Sequence, residues 1–218
     1  MKPAAKQGVQ PPRLPKSLQA EVIESLADDG EYAAVSISGC NLTGQAAANV
    51  HFEQVHLRRT AFNQTQLPRL RMLDVRIEDS DFSGAVWEQA QLQRVEFIGC
   101  RLLGMQLFAA RLQNILFQAC TFEDAQLATA VCKAVRFEKC TLRNASFELA
   151  DLAGGVFHQC DLTNADLRGT QLQGTDFRGS VLNAVQVEAK DLQGAVIDAA
   201  QALQIVGLLG VTVRASNE

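Results

Sequence analysis

Four cysteines are the first residues in this sequence that could do chemistry. They recur every 20 residues, at Cys100, Cys120, Cys140 and Cys160. Thiolates bind zinc or take part in redox reactions, but a zinc site usually draws its ligands from closely spaced pairs such as CxxC, which these cysteines do not form. A free cysteine in apolar surroundings behaves as a small hydrophobic side chain. We therefore interpret the four cysteines as structural and expect neither a metal nor a cofactor.

The three histidines are the next candidates for acid–base or metal chemistry. His51 and His56 lie close together in the chain, whereas His158 is far from both. The favoured interpretation of His51 and His56 is that they face solvent. No nucleophile, base and orienting group occur together in the sequence, and no long loop is available to build a pocket. We predict that the chain is not an enzyme.

A five-residue period determines where these side chains lie. Every fifth residue from Ile37 to Ile197 is uncharged, and most of these residues are Leu or Phe; the position two residues earlier is usually small, with Gln45 and Lys190 as exceptions near the ends. Neither the 3.6-residue period of a helix nor the two-residue period of a strand produces this pattern. It predicts a chain that turns a corner after each short extended segment, with one large and one small side chain pointing inward.

A longer period of 20 residues predicts four such segments in each coil. Five phenylalanines share this period with the four cysteines: Phe97, Phe117, Phe137, Phe157 and Phe177. Residues 20 apart would then lie above one another at about 4.8 Å, where opposite charges attract and like charges repel. Between residues 31 and 198 opposite charges occur at this spacing and like charges do not. The pairs are Arg58 with Glu78, Arg59 with Asp79, Asp74 with Arg94, Arg76 with Glu96, Asp81 with Arg101, Glu123 with Arg143, Glu148 with Arg168, Arg168 with Glu188, and Arg178 with Asp198. The sequence predicts an all-β solenoid, a four-sided parallel β-helix of about eight coils.

The segments CDLTNADLRGTQLQGTDFRGS and CTLRNASFELADLAGG resemble the A(D/N)LXX consensus of pentapeptide-repeat proteins, and the resemblance covers about residues 35–198. It implies a right-handed quadrilateral β-helix, often dimerised through its C-terminal end. The Qnr-type quinolone-resistance group of this family is distantly similar, and its members bind DNA gyrase or topoisomerase IV and resemble duplex DNA in shape and charge. The resemblance leaves the function open, because the consensus residues are the inward ones that build the coil.

Both ends of the predicted solenoid, residues 31–198, require caps. The proline-rich residues 1–16 are predicted to form a mobile arm. Residues 17–30 are predicted to form a capping helix that begins at Ser17 and buries one apolar stripe, made of Leu18, Val22, Ile23 and Leu26. Short helical caps are therefore expected at both ends.

Residues 199–218 are predicted to form the C-terminal cap and a dimer segment. No residue from Ala199 to Thr212 is charged, so a helix here would have no wholly polar face, whereas the cap of a monomer should keep one. A homodimer buries the remaining apolar side chains most simply. The expected dimer contacts are Leu203, Ile205, Val206, Leu208 and Leu209.

Charged residues on the outer faces are the candidates for contact with a partner. One basic and one acidic group stand out. The functional interpretation is that each contacts a charged partner, and the alternative is that both are ordinary solvated faces. The basic residues are Arg58, Arg59, Arg69, Arg71 and Arg76, and the acidic ones are Asp151, Asp161, Asp166 and Asp176.

These features lead to two alternative functions. The net charge of −4 argues against direct nucleic-acid binding, and no apolar run is long enough to span a membrane. Because no export signal is apparent, we expect a cytoplasmic protein. The favoured hypothesis is a rigid, non-catalytic scaffold that binds an unknown protein; the alternative is a DNA mimic that binds a type II topoisomerase. The four aspartates fall on successive faces and form a girdle instead of an axial stripe, which favours the first.

Overall fold

The computed structural model describes residues 8–208 and 210–214. Its strands and helix are β1 (Gln19–Glu21), β2 (Glu31–Ala33), β3 (Val35–Ser38), β4 (His51–Glu53), β5 (His56–Arg58), β6 (Arg71–Glu78), β7 (Gln91–Ile98), β8 (Arg111–Gln118), β9 (Val131–Glu138), β10 (Val156–His158) and α1 (Ala199–Leu208).

From β2 onward the strands wind into a four-sided parallel solenoid, as predicted. Each residue pairs with the residue 20 positions further along, as Phe97 pairs with Phe117, and isolated bridges continue this register on the other faces. In one coil the four faces are centred on Phe97, Leu102, Leu107 and Leu112, and each face is named here after that residue.

The solenoid has about seven turns, slightly fewer than the eight predicted. Except for the half-buried Gln45, its inward residues are buried from Ile37 to Val185, but Val187, Leu192 and Ile197 are only half-buried. The last coil is less enclosed because no further coil stacks on it.

A tight turn at most corners explains the five-residue period. The residue two positions after each centre adopts the left-handed region, as in Arg69 with φ 59° and Gly104 with φ 61°. The next backbone N–H donates to the carbonyl of the centre, as Ala85 does to Phe82 at 3.0 Å. These are the features of a type II turn. Glycine is favoured at this position, but any residue that tolerates a positive φ suffices.

Stacked aromatic rings fill the axis of the solenoid. Along the Phe97 face the ring centroids are 4.9 Å apart from Phe97 to Phe117 and from Phe117 to Phe137, 4.7 Å from Phe137 to Phe157, and 5.0 Å from Phe157 to Phe177. Side chains from the neighbouring face, such as Phe122, meet this ladder edge-on at 4.8 Å. All of these rings are buried, so the core is one continuous column.

The prediction of a capping helix at residues 17–30 is wrong. β1 occupies part of this segment and pairs in parallel with β3, and Val22, which the predicted stripe would have buried, is 79% exposed. A helix satisfies its own backbone groups, whereas the first coil presents an open edge of N–H and C=O groups that a strand can pair with. Gln45, an exception in the small-residue column, completes this cap because its side chain accepts from the Leu26 N–H and donates to the Glu24 carbonyl.

The predicted mobile arm, residues 1–16, falls partly outside the described residues, which begin at residue 8. Residues 8–16 lie along the corner between the Leu112 and Phe97 faces. The N–H of Gln10 donates to Asn114 Oδ1 at 3.2 Å, and that of Arg13 to Asp74 Oδ1 at 2.9 Å. The three-residue step from Gln10 to Arg13 thus spans two coils, because the acceptors Asn114 and Asp74 are 40 residues apart. This corresponds to a rise of about 3.2 Å per residue, close to that of a polyproline II helix. This part of the arm is docked because side chains at the corner accept its backbone hydrogen bonds.

Helix α1 covers the last coil, so the predicted C-terminal helix is present. The buried Gln201 donates its amide N–H groups to the carbonyls of Phe177 and Ser180, both at 2.6 Å. Asp198 and Gln201 also cap one another through their side chains and backbone N–H groups, in the manner of a capping box.

Candidate interaction surfaces

The cysteine ladder lies in the core, on the inward side of the corner between the Phe97 and Leu102 faces. Each thiol donates to a carbonyl one coil back: Cys120 to Phe97 at 3.4 Å, Cys140 to Phe117 at 3.3 Å, Cys160 to Phe137 at 3.4 Å and Cys100 to Ile77 at 3.7 Å. All six cysteines are free and buried. Contact with the sulfurs of Cys100 and Cys140, together with burial, raises the pKa of the Cys120 thiol, and burial raises that of Cys132 to about 12. Such thiols are poor nucleophiles at neutral pH.

The three histidines do not come together. His51 lies on the Leu112 face, whereas His56 and His158 lie on the Phe97 face, five coils apart. His56 is partly buried, with Nε2 3.3 Å from Glu78 Oε2. Among residues 8–208 and 210–214, no three His, Cys, Asp or Glu side chains are grouped as they would need to be to hold a metal ion.

The five arginines of the basic group are divided between two sides of the solenoid. Arg58 and Arg76 both pair with Glu78, at 3.9 and 2.7 Å, and Arg76 also reaches Glu96 at 3.1 Å. The hydrogen bond from Arg76 lowers the pKa of the Glu78 carboxyl. Arg59 lies at the next corner and Arg69 at the opposite one, where its Nε donates to Asn49 Oδ1 at 2.7 Å. Arg71 alone of the five points from the Leu112 face.

The four acidic residues lie on four different faces and take part in local structure. Each accepts, through Oδ1, the N–H two residues further on, as Asp161 does from Thr163 at 3.0 Å. Such bonds mimic a backbone turn. Three of the four also form ion pairs: Asp161 with Arg143, Asp166 with Arg168 and Asp176 with Arg178, at 2.5–2.6 Å. This acidic girdle is largely neutralised by its own neighbours.

Charges 20 residues apart form only some of the pairs that the period predicts. Within the described residues, ion pairs occur at Arg58–Glu78, Arg76–Glu96, Asp74–Arg94 and Asp81–Arg101. Toward the C-terminal end the arginines turn to aspartates two residues earlier, as Arg168 does to Asp166. Both side chains of such a pair point outward from one short segment, so that they meet without reaching across coils.

Asp74 and Arg94 form the most buried ion pair of the described chain. The Arg94 guanidinium binds both carboxylate oxygens, at 2.6 and 2.7 Å, and the Asp74 and Arg94 side chains are only 6% and 13% exposed. The hydrogen bond from Arg94 lowers the pKa of the Asp74 carboxyl. Since Asp74 also accepts the Arg13 N–H, this pair anchors the N-terminal arm.

A shallow groove of about 270 Å³ runs along the Leu112 face beside the arm. His51, Arg71, Gln91 and Arg111 form one side of it, stacked one coil apart. Leu73, Gln93 and Gln113 form the other side, next to the corner that carries the arm. Arg111 is not among the predicted partner-contact residues, because it is far in the chain from the other basic residues of this face. Its 40-residue spacing from Arg71 is the sequence signal that relates the two.

The fold and its turns define a four-sided parallel β-solenoid. A family model described as pentapeptide repeat region matches residues 81–147, and one described as pentapeptide repeats (8 copies) matches residues 130–169 and 145–183. The chain belongs to the pentapeptide-repeat family. No curated protein matches the sequence.

Two solved structures are similar to this chain at low sequence identity. A trypsin-treated variant of QnrB1, a plasmid-mediated fluoroquinolone resistance protein, is 18% identical with a TM-score of 0.50, over 90% of this chain and 98% of QnrB1. HetL, a pentapeptide-repeat protein involved in heterocyst differentiation regulation in the cyanobacterium Nostoc, is 16% identical with a TM-score of 0.42, over 82% and 89% of the two chains. In the described part of this chain, no helix combines the length and the apolar character needed to cross a bilayer.

Proposed function

We propose that this chain is a non-catalytic interaction scaffold of the cytoplasm that binds another protein through its outer faces. The observation that carries the proposal is that each coil divides its residues between the core and the outer faces. Two residues of every five are committed to the core, and the others project from backbone that is hydrogen-bonded to the coils on either side. Their spacing of about 4.8 Å along the axis is therefore rigid, which suits recognition more than chemistry.

A topoisomerase-binding DNA mimic is the second candidate, supported by the likeness in fold to a fluoroquinolone resistance protein. A mimic of duplex DNA requires a stripe of negative charge along the rod. Asp151, Asp161, Asp166 and Asp176 instead surround one end, and three of them are paired with arginine. This charge arrangement makes the general scaffold the better supported proposal.

One experiment separates the two candidates. The tagged full-length chain is used to capture proteins from its source cells, and the purified protein is then added to a gyrase supercoiling assay. We expect specific protein partners, and unchanged supercoiling at micromolar concentrations of the chain. Inhibition that weakens in an Asp161→Asn, Asp176→Asn variant would favour the mimic, and a chain that captures no partner would count against the scaffold.

The C-terminal segment supports assembly into a dimer. Gln201 and Ile205 face the last coil and are buried, so Ile205 belongs to the cap and is not free for a partner. Val206 is half-buried, whereas Leu203, Val211 and Val213 are 62%, 54% and 57% exposed. The Leu208 side chain and Leu209, also predicted to contact a partner, lie outside the described residues. A two-fold contact would cover the exposed apolar side chains on both copies.

We expect the unmodified chain to sediment as a dimer at tens of micromolar, and Leu203→Glu to yield a folded monomer. A buried leucine contributes roughly 1.5–3 kcal/mol to such a contact, and a carboxylate in its place would have to be desolvated. Light scattering measures the mass, and circular dichroism checks that the β-structure is retained. Leu103→Glu is the matched control, since Leu103 is also exposed but lies in mid-rod. If the unmodified chain sediments as a monomer, the dimer proposal is wrong and α1 serves only as a cap.

A further inference from the structure

The groove on the Leu112 face is a local concentration of uncompensated positive charge. None of its lining residues is acidic, and three are basic: His51, Arg71 and Arg111. Within the part of the chain that the structure describes, neither Arg71 nor Arg111 forms an ion pair, whereas Arg76, Arg94, Arg101, Arg136, Arg143, Arg168 and Arg178 all do. Both groove arginines are exposed and directed away from the core. Their guanidinium groups are therefore available to an outside carboxylate.

Amide side chains supply the other contacts that a peptide needs. Gln91 lies between Arg71 and Arg111 on one side of the groove, and Gln93 and Gln113 lie opposite. Each glutamine amide can both donate to a backbone carbonyl and accept from a backbone N–H. Leu73 adds an apolar contact at the end nearest the first coils. This mixture suits a polypeptide backbone with acidic side chains.

The geometry points to an extended acidic segment of a partner protein as the occupant of this groove, an inference that rests on the scaffold function proposed above. Arg71 and Arg111 are two coils apart, about 9.6 Å along the axis. In a polyproline II segment, residues three apart lie on the same side at about 9.3 Å. The arm already lies along the adjacent corner with this rise. Two carboxylates three residues apart would thus each meet one arginine in a charge-assisted hydrogen bond.

Nucleic acid fits the groove less well. The column that contains Arg71 and Arg111 has Glu31 below His51 and Asp151 beyond Val131, so the positive stretch ends in negative charge on both sides. A phosphate backbone gains its affinity from many successive basic contacts. A short acidic peptide requires only the two arginines, with His51 beside them.

The test uses the full-length chain and a fluorescent peptide of Glu-Pro-Pro repeats, which holds its carboxylates on one side of a polyproline II helix. We expect saturable binding by fluorescence anisotropy, absent for Gln-Pro-Pro repeats. Arg71→Gln with Arg111→Gln should weaken binding about tenfold or more. Arg59→Gln with Lys139→Gln removes the same charge from exposed residues at another corner and should change the affinity less than twofold. A photo-crosslinking amino acid in place of Gln91 should capture the peptide, and one in place of Lys139 should not.

Three outcomes of the anisotropy measurements would overturn the groove proposal. They are no binding of the Glu-Pro-Pro peptide, equal losses in the two double variants, and binding of a single-stranded oligonucleotide that is as tight as the peptide and as sensitive to the Arg71 and Arg111 substitutions. The scaffold proposal is tested separately by capture from source cells. If the Arg71→Gln, Arg111→Gln variant captures the same proteins as the unmodified chain, the scaffold stands and this groove is not its binding site.

Discussion

Replacing Phe137 with alanine should lower the free energy of unfolding by about 3–5 kcal/mol. Phe137 is 1% exposed, and its ring stacks on Phe117 and Phe157 at 4.9 and 4.7 Å. It also meets Phe122 and Phe147 edge-on, at 5.7 and 6.2 Å. Because the neighbouring coils are locked by backbone hydrogen bonds, they cannot collapse into the space left by the ring. Denaturant melts followed by circular dichroism measure the loss.

Two control substitutions make this prediction specific. Glu138→Ala removes an outward side chain whose partners are Arg136 and Gln118, and it should cost less than about 1 kcal/mol. Leu192→Ala changes an inward residue in the last, half-open coil and should cost less than Phe137→Ala. Equal losses at Phe137 and Glu138 would show that the ring at 137 is not in the core.

Asp74→Ala should be the most damaging single change to a charged residue, with an expected loss of about 3–5 kcal/mol. The substitution leaves the Arg94 guanidinium largely buried without its carboxylate. It also removes the acceptor of the Arg13 N–H. Unfolding in denaturant measures the first effect. For the second, trypsin should cleave after Arg13 faster in the variant than in the unmodified chain.

The pH dependence follows from the direction of the Asp74 pKa shift. Its folded pKa is lowered because Arg94 donates hydrogen bonds to the carboxylate. The stabilisation is therefore present above the unfolded pKa, about 3.9, and is lost as the pH falls through the lower folded value. The difference in stability between the unmodified chain and Asp74→Asn should shrink below about pH 4.

An exposed ion pair and a double variant serve as controls for Asp74. Glu188→Ala breaks a pair with Lys190 in which both side chains are mostly exposed, and it should leave the unfolding midpoint unchanged. Asp74→Ala combined with Arg94→Leu should lose less than the sum of the single changes, because no charge is then left buried. Additive losses would contradict the role assigned to the pair.

The repeat made the solenoid predictable, but its ends were harder to predict. Each centre position, such as Phe97 or Leu102, faces the axis for the same steric reason. One pattern therefore predicted the burial of the whole column. Residues 17–30 have no such repetition, and their apolar spacing fits a helix as well as a strand. The strand forms because the open edge of the first coil offers hydrogen bonds to β1, which is a tertiary effect.

The sequence by itself determined the period of five, the four-sided coil and the two inward columns, because these depend on the corner geometry and on core packing that repeats in every coil. Only the tertiary structure decided where the outward side chains gather. The outer positions are under no packing constraint, so charges close in sequence can diverge, as Arg58 and Arg71 do. Charges 40 residues apart can equally share a groove, as Arg71 and Arg111 do. The docked arm is the other tertiary result, since Asp74 and Asn114 became acceptors for its backbone only once the coils were stacked.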